Sequence, residues 1–214
     1  MRGPVKPWHR LFDVLAALLG ICVLLPLLFA VAMAVWIDDG RPFLFVQKRL
    51  GKDGRLFSIW KFRTMRVLNA GRHVTAAGDE RVTRVGSVLR KFKLDELPQL
   101  FNVLKGDMSL IGPRPELAEF VNEDHRWNLV LSVRPGITDL ASLVFRNEEQ
   151  LLSAASNPED YYRRYLLPAK LALNVRYIQT RSLRRDLKLL LLSVWYSVRP
   201  RSFNPRQVEK TFEG

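Results

Sequence analysis

"VLAALLGICVLLPLLFAVAMAVWI", Val14 to Ile37, is an apolar run without a single charged residue near the N-terminus. As a helix it would be roughly 36 Å long, enough to cross a hydrocarbon layer of about 30 Å. This run divides the chain into an N-terminal segment, residues 1–40, and a more polar remainder, residues 41–214. The sequence therefore predicts a membrane-associated segment followed by a catalytic or binding domain outside the bilayer.

Three placements of the run are open: a spanning anchor, a cleaved signal peptide and a re-entrant hairpin that leaves the bilayer on the side where it entered. Pro26 lies in the middle of the run and should kink or break a helix there, leaving halves too short to span. Both flanks are basic, and basic flanks tend to stay cytoplasmic. The basic residues are Arg2, Lys6 and Arg10 before the run, and Arg41, Lys48, Arg49 and Lys52 after it. Both observations favour the hairpin, although a basic start followed by small residues also fits a signal peptide.

The composition points to a folded protein with an anionic partner. Of the 214 residues, 48% are hydrophobic, which argues against a disordered chain, and the formal net charge is +13. The partner could be nucleic acid, acidic lipid or a phosphorylated substrate. Cys22 is the only cysteine, so no intramolecular disulfide can form, and a reducing compartment is expected.

The rest of the chain predicts an α+β fold that is mainly helical. Asp53-Gly54 separates two strand-like runs, which predicts a small β-hairpin whose second strand places Lys61 and Arg63 on one face. Further elements follow along the chain: helices over residues 82–93, 95–105 and 116–127, a polar loop over 69–79, a strand over 140–145, and two helices over 157–198 broken near residues 180–182. The last helix could be buried, or amphipathic at the membrane interface.

Two adjacent carboxylates, Asp95 and Glu96, stand at the centre of "LRKFKLDELPQLFNVLKGDMSLIGPRP", Leu89 to Pro115. The simpler interpretation is structural, with Asp95 capping a helix and Glu96 complementing its dipole. The neighbouring cations favour a phosphate site with a carboxylate at its centre: Lys61, Arg63, Arg90 and Arg114. A carboxylate can act as a nucleophile toward phosphorus, provided that cations and a divalent metal offset the repulsion between the anions.

Three motifs resemble the bacterial sugar transferases, the monotopic polyprenyl-phosphate phosphoglycosyl transferases that start glycan assembly on a lipid carrier. The motifs are "KFRTM" (61–65), "KLDELPQLFNVLKGDMSLIGPRP" (93–115) and "VRPGIT" (133–138). The resemblance covers nearly the whole chain, and the size of the chain is similar to that of the minimal form of the family. It implies a re-entrant membrane helix broken at Pro26 and amphipathic interfacial helices around the active site.

The resemblance also implies the chemistry. Asp95 matches the nucleophile that takes a sugar phosphate from a UDP-sugar and releases UMP, before polyprenyl phosphate accepts the group in a ping-pong reaction. Glu96 matches the second member of the dyad, which binds Mg2+ together with Asp95 or supports acid-base chemistry. Phosphate-binding positions match Lys61, Arg90 and Arg114, and also Arg146 in "FRNEE". The implied location is the cytoplasmic face of the bacterial inner membrane, with the lipid bilayer as partner and no nucleic acid. A homodimer is one possible assembly, and the oligomeric state stays open.

Two departures from the family pattern stand out. Leu25 replaces the serine that often precedes the helix-breaking proline, and "GITDLASLVFRN" replaces "GITGWAQVNGRN". The second change is expected to alter the sugar or nucleotide pocket, so the donor sugar stays open. The competing hypotheses are a non-enzymatic, membrane-anchored binder of anionic lipid or nucleic acid, and a diphosphate hydrolase that uses water as acceptor.

Overall fold

The computed structural model describes residues 7–66 and 74–212. The helices are α1 (Pro7–Asp39), α2 (Arg84–Phe92), α3 (Gln99–Lys105), α4 (Arg126–Leu131), α5 (Leu140–Val144), α6 (Glu148–Ser153), α7 (Pro158–Tyr161), α8 (Leu167–Gln179), α9 (Leu183–Val198) and α10 (Pro205–Thr211). The strands are β1 (Leu44–Leu50), β2 (Leu56–Phe62), β3 (Ser109–Ile111) and β4 (Gly136–Thr138). The protein is thus mainly helical with two small sheets, as the sequence predicts.

The apolar run forms one helix, α1, which continues through Pro26. The expected division into two helices at this proline is not seen. A proline inside a helix removes one backbone hydrogen bond, and the bonds of the adjacent turns can keep the chain helical. By length and composition, His9–Asp39 is the one described helix that could cross a membrane.

Both ends of α1 are tied to the rest of the protein. Near its start, Arg10 donates to the carbonyls of Val103 and Leu104 at 2.7 and 3.1 Å. Near its end, an Asp39 carboxylate oxygen lies 3.1 Å from the Arg63 guanidinium. Between these anchors most of the large apolar side chains face outward: Leu11, Leu15, Leu18, Leu19, Val23, Leu25, Leu27, Phe29, Trp36 and Ile37 are exposed. An apolar surface of this length on a protein requires a cover, such as lipid.

The inward side of α1 contributes to two hydrophobic clusters. Ala17 is fully buried in the main core, which also contains Val103 and Met108. Val31 and Val35 pack in a separate cluster with Phe62 of β2. The first half of α1 is therefore packed on the α3 region and the second half on the β-hairpin.

The predicted β-hairpin is confirmed. Strands β1 and β2 are antiparallel, with Leu44 opposite Phe62 and Leu50 opposite Leu56, and the turn at Asp53-Gly54 has positive φ at both residues. This conformation is typical of short hairpin turns. Arg63 lies just beyond the end of β2, and its guanidinium contacts Asp39 at the end of α1.

One helical prediction and one strand prediction require correction. Residues 116–127 form only a single helical turn at Ala118–Phe120 before α4 begins at Arg126. Residues 140–145 form helix α5 because the side chain of Asp139 accepts from the Ser142 N–H and caps it. The break near residues 180–182 is confirmed between α8 and α9. Of the predicted loop, residues 69–73 lie outside the described residues.

Candidate active site

Asp95 and Glu96 lie in a short 3₁₀ turn, Leu94–Glu96, between α2 and α3. Both side chains are buried, at 7% and 8% exposure. The residues that precede this turn and α3 are Lys93 and Pro98, and neither end has a side-chain cap. Asp95 therefore caps neither element, and the structural explanation of the carboxylate pair loses its main support.

Glu96 is held by two cations. The Arg114 guanidinium donates to both carboxylate oxygens, Nη2 to Oε1 at 2.6 Å and Nη1 to Oε2 at 3.1 Å, and Lys61 Nζ lies 3.5 Å from Oε1. Burial by itself would raise the pKa of Glu96, but the charges of Arg114 and Lys61 outweigh it and hold this pKa well below its usual value. Glu96 is thus a permanent anion.

The pKa of Asp95 is shifted in the opposite direction to that of Glu96. Its Oδ1 is buried and has no hydrogen-bond partner among the described residues. Burial, followed by the negative charge of Glu96, raises the pKa of Asp95 above its usual value, although Lys61, Lys93 and Arg90 act against this shift. Of the two carboxylates, Asp95 is the one with a buried oxygen that no described residue binds.

Strand β2 presents Lys61 to the dyad, and Asn102 fixes the strand. The fully buried Asn102 accepts from the backbone N–H of Trp60 at 3.0 Å and donates to the carbonyl of Ser58 at 2.8 Å. These bonds join β2 to α3 directly beside Lys61. Burial and the positive charge of Arg114 lower the pKa of Lys61 to about 8.

The Pro-flanked loop at Arg114 depends on a close contact between two glycines. Gly112 follows β3 and Gly136 begins the parallel strand β4. A Cβ atom at Gly136 would lie 2.1 Å from the Gly112 nitrogen, which is too close for any side chain. The contact explains why "GPRP" and "RPGIT" both contain glycine: their backbones touch, and Arg114 is placed by that packing.

Asp139 also holds this loop. Its side chain is fully buried, and Oδ2 accepts from the backbone N–H of Arg114 at 2.8 Å. The same residue caps α5. Asp139 belongs to "GITDLASL", the segment that departs from the family pattern. It thus fixes the backbone from which Arg114 reaches Glu96.

The other predicted cations differ in position. Arg90 Nη2 pairs with Glu149 at 2.5 Å, yet its charge still acts on Asp95. Arg146 lines the cavity described below and donates to the carbonyl of residue 91 at 3.2 Å. Arg63 points away from the dyad, since its guanidinium donates to the carbonyls of Asp39 and Gly40 at the end of α1. We therefore assign Arg63 to the anchoring of α1 rather than to a phosphate site.

A cavity of about 590 Å³ adjoins the dyad. Its polar wall includes Lys93, Glu96, Arg114, Arg146, Glu148, Glu149 and Lys170. Its apolar wall includes Leu24 and Leu27 of α1, Leu97 and Leu100, and Leu190, Val194 and Val198 of α9. The cavity therefore joins a charged region beside the carboxylates to an apolar region beside the membrane-associated helix.

Sequence reasoning missed Glu148, Glu149 and Lys170. Glu148 and Glu149 begin helix α6, and Glu148 also pairs with Lys170 at 2.6 Å while Glu149 pairs with Arg90. Lys170 is 6% exposed and shares the buried face of α8 with Leu167 and Leu171. A lysine on the apolar stripe of an amphipathic helix is the signal that could have identified it.

The protein side chains at the dyad supply only part of the ligand set that Mg2+ requires. Among residues 7–66 and 74–212, no three acidic, histidine or cysteine side chains cluster as a metal site. Mg2+ is commonly bound by one or two carboxylates together with substrate phosphates and water. The unpartnered oxygen of Asp95, next to Glu96, fits that mode of binding.

Comparison with known proteins identifies the family. A family model described as bacterial sugar transferase matches residues 5–200. A UDP-N-acetylgalactosamine-undecaprenyl-phosphate N-acetylgalactosaminephosphotransferase of Aeromonas hydrophila is 47% identical over 142 residues, covering 63% of this chain and 33% of that protein. A UDP-glucose:undecaprenyl-phosphate glucose-1-phosphate transferase of Caulobacter vibrioides is 40% identical, covering 86% and 67%. The exopolysaccharide production protein ExoY of Sinorhizobium fredii is 36% identical, covering 80% and 85%.

The chain therefore belongs to the bacterial sugar transferase family. It spans about a third of the length of the Aeromonas relative. The relatives' names specify different sugars, N-acetylgalactosamine in one and glucose in another, so similarity alone leaves the sugar open.

Proposed function

We propose that this protein transfers a sugar 1-phosphate from a UDP-sugar to polyprenyl phosphate, releasing UMP and forming polyprenyl-diphosphate-sugar. One observation supports the assignment most strongly. A buried aspartate oxygen without a partner lies beside a glutamate that Arg114 and Lys61 hold as an anion, next to a cavity with one charged and one apolar wall. The relatives' printed names describe this class of reaction on undecaprenyl phosphate.

The proposed reaction has two displacements at one phosphorus. First, an Asp95 oxygen attacks the sugar-bearing phosphorus of the donor; an Asp95–phosphorus bond forms, the bond to the bridging oxygen breaks, and that oxygen leaves with UMP. Second, an oxygen of polyprenyl phosphate attacks the same phosphorus and displaces Asp95. Splitting the transfer in this way is typical of nucleophilic catalysis. The cations at the polar wall stabilise the negative charge that develops on the phosphoryl oxygens.

Asp95 must lose its proton before it can attack. Burial and the negative charge of Glu96 raise the pKa of Asp95, and cations bound with the donor would restore the carboxylate. We propose that Asp95 and Glu96 hold Mg2+ together with the donor's diphosphate. The ion would supply charge neutralisation between the carboxylate and the phosphates.

The acceptor requires an apolar path that ends at the dyad. Leu24 and Leu27, which flank Pro26, line the cavity opposite residues of α9. A stripe of α9 is also exposed: Leu187, Leu191, Val194, Trp195 and Val198. These surfaces support a site at the boundary of the bilayer, where the phosphate of the acceptor reaches Asp95 while the polyprenyl chain stays in an apolar environment. They also support an interfacial position for α9.

We further propose that α1 enters and leaves the bilayer on the same, cytoplasmic side of the bacterial inner membrane, with a bend at Pro26. The anchors at Arg10 and Asp39 join both of its ends to one catalytic domain, residues 41–214. A spanning helix would place its ends about 30 Å apart on opposite faces of the membrane. In this position the enzyme would perform the first membrane step of bacterial glycan assembly.

The test is a screen of nucleotide sugars with purified protein, undecaprenyl phosphate and Mg2+, measuring UMP release. UDP-N-acetylgalactosamine and UDP-glucose come first because they are named in relatives. We expect release with at least one UDP-sugar, and loss of release in Asp95→Asn and in EDTA. Absence of release with every UDP-sugar would contradict the proposal, and continued release far beyond one equivalent without acceptor would indicate a hydrolase.

A further inference from the structure

The cations at the cavity differ in whether the protein already neutralises them. Arg114 is paired with Glu96, and Lys170 Nζ lies 2.6 Å from Glu148. The third acid of the polar wall, Glu149, pairs with Arg90. Among the described residues, each of the three carboxylates that line the cavity is therefore paired with a cation other than Lys93.

Lys93 lines the same cavity and has no carboxylate partner within the part of the chain that the structure describes. The nearby dyad does not take it as an ion-pair partner, because Glu96 is bound by Arg114 and Lys61. An ammonium group in a largely apolar cavity favours an anionic ligand. Lys93 thus provides a positive charge that the folded protein leaves available.

The backbone at Lys93 gives a second, independent reason to ask what this side chain does. Residue 93 has φ 56° and ψ 24°, a left-handed conformation, and ends α2 directly before the dyad turn. Glycine is the usual residue at such a helix end, and asparagine also tolerates the conformation. A lysine costs conformational free energy here, so local structure does not explain it.

We propose that Lys93 binds a phosphate oxygen of the substrate and is a substrate-binding residue beside the dyad. The inference rests on the proposed function, because it assigns Lys93 to the phosphoryl group on which Asp95 acts. The phosphate could belong to the diphosphate of the nucleotide sugar or to the phosphate of polyprenyl phosphate. The chemistry is the same for both, and kinetics separate them.

The experiment compares three full-length variants with the parent protein: Lys93→Asn, Lys93→Arg and Lys91→Asn. Asparagine removes the charge but suits the backbone, so Lys93→Asn should unfold at the same temperature as the parent or higher. Lys91 is the matched control, because its side chain is exposed and does not itself line the cavity, although it lies over the ring of Phe92, which does. UMP release is measured in detergent micelles, varying the UDP-sugar at fixed undecaprenyl phosphate and then the reverse.

A charge-assisted hydrogen bond to phosphate corresponds to about 10- to 100-fold in affinity. We expect Lys93→Asn to raise the KM of one substrate by about this factor, Lys93→Arg to retain most of the affinity, and Lys91→Asn to match the parent. A rise for the UDP-sugar alone assigns Lys93 to the donor, and a rise for undecaprenyl phosphate alone assigns it to the acceptor. Unchanged KM for both in an active enzyme overturns the proposal.

Failure of the proposed function gives a different result, since the parent protein itself would then release no UMP. In that case calorimetric titration with UMP and with inorganic pyrophosphate replaces kinetics. Weaker binding to Lys93→Asn than to the parent and to Lys91→Asn would support an anion-binding Lys93. Equal binding by all three proteins would overturn it.

Discussion

Arg114 contacts both carboxylate oxygens of Glu96, at 2.6 and 3.1 Å, while the neighbouring Asp95 keeps a buried oxygen without a partner. The two adjacent acids therefore have pKa shifts of opposite sign, lowered for Glu96 and raised for Asp95. Divergent pKa values in neighbouring carboxylates are typical of a division of roles at an active site. Under the proposed function, Asp95 would provide the reacting atom and Glu96 would hold cations.

Arg114→Ala should lower stability and abolish UMP release. The substitution leaves Glu96 buried without its main cation, and breaking a buried ion pair from one side costs about 3 kcal/mol or more. We expect the lower end, because the Arg114 side chain is 26% exposed. The measurement is chemical unfolding together with UMP release.

Arg164→Ala is the control for Arg114→Ala. Arg164 pairs with Asp160 at 2.7 Å, but the two side chains are 71% and 45% exposed. Removal of such an exposed pair should change the free energy of unfolding by less than about 1 kcal/mol. Equal effects of the two substitutions would contradict the importance assigned to the Arg114–Glu96 pair.

Gly136→Ala should destabilise the protein by about 3 kcal/mol and reduce activity further than the loss of folded protein explains. The new methyl group would press on the Gly112 backbone and displace the loop that holds Arg114. Gly20→Ala is the control, since its Cβ would meet Leu100 at an ordinary 3.5 Å inside helix α1. Normal turnover by folded Gly136→Ala would show that the glycine contact does not position Arg114.

The pH profile should fall on both sides of an optimum. Asp95 must be ionised to attack, and its raised pKa places the loss of activity in acid at a higher pH than an ordinary aspartate would. Burial lowers the pKa of Lys61 to about 8, so its positive charge is lost as the pH rises through that value. We expect kcat/KM to decline above about pH 8.

Lys61→Arg tests the alkaline side of this profile. Arginine keeps its charge to above about pH 12, so the decline should move to higher pH even if turnover is slower. An unchanged alkaline limb in this variant would assign the limb to another group. A profile of kcat/KM from pH 5 to 10 in about half-unit steps is sufficient.

The placement of α1 can be tested by cysteine labelling. In a Cys22→Ser background, a single cysteine is introduced at Lys6 or at Lys48, one on each side of the apolar run. A re-entrant helix predicts that a membrane-impermeant maleimide labels both positions in inside-out vesicles and neither in intact spheroplasts. Labelling of the two positions from opposite sides would show a spanning helix.

The sequence was sufficient to predict the elements defined by local signals. The β-hairpin followed from Asp53-Gly54, and the break between α8 and α9 followed from the polar residues 180–182. Tertiary context overrode propensity where the predictions were wrong. The mostly apolar residues of 140–145 suggested a strand, but the cap at Asp139 starts a helix there.

At the candidate site, sequence reasoning grouped Lys61, Arg90 and Arg114 with the dyad, and the structure places all three within electrostatic reach of it. It also grouped Arg63, because alternation along β2 puts residues 61 and 63 on one face, yet the strand ends at Phe62. The partners of each cation could not be predicted. Which arginine pairs with Glu96 and which lysine stays unpaired depend on contacts between residues far apart in the sequence.

A covalent bond between Asp95 and the sugar phosphate can be detected from the intact mass of the protein after incubation with its UDP-sugar and Mg2+ in the absence of polyprenyl phosphate. We expect an added mass of one sugar phosphate that peptide fragmentation maps to Asp95. It should disappear when undecaprenyl phosphate is added and be absent in Asp95→Asn. An unmodified protein under conditions where UMP is released, or an Asp95→Asn variant with normal turnover, would contradict it.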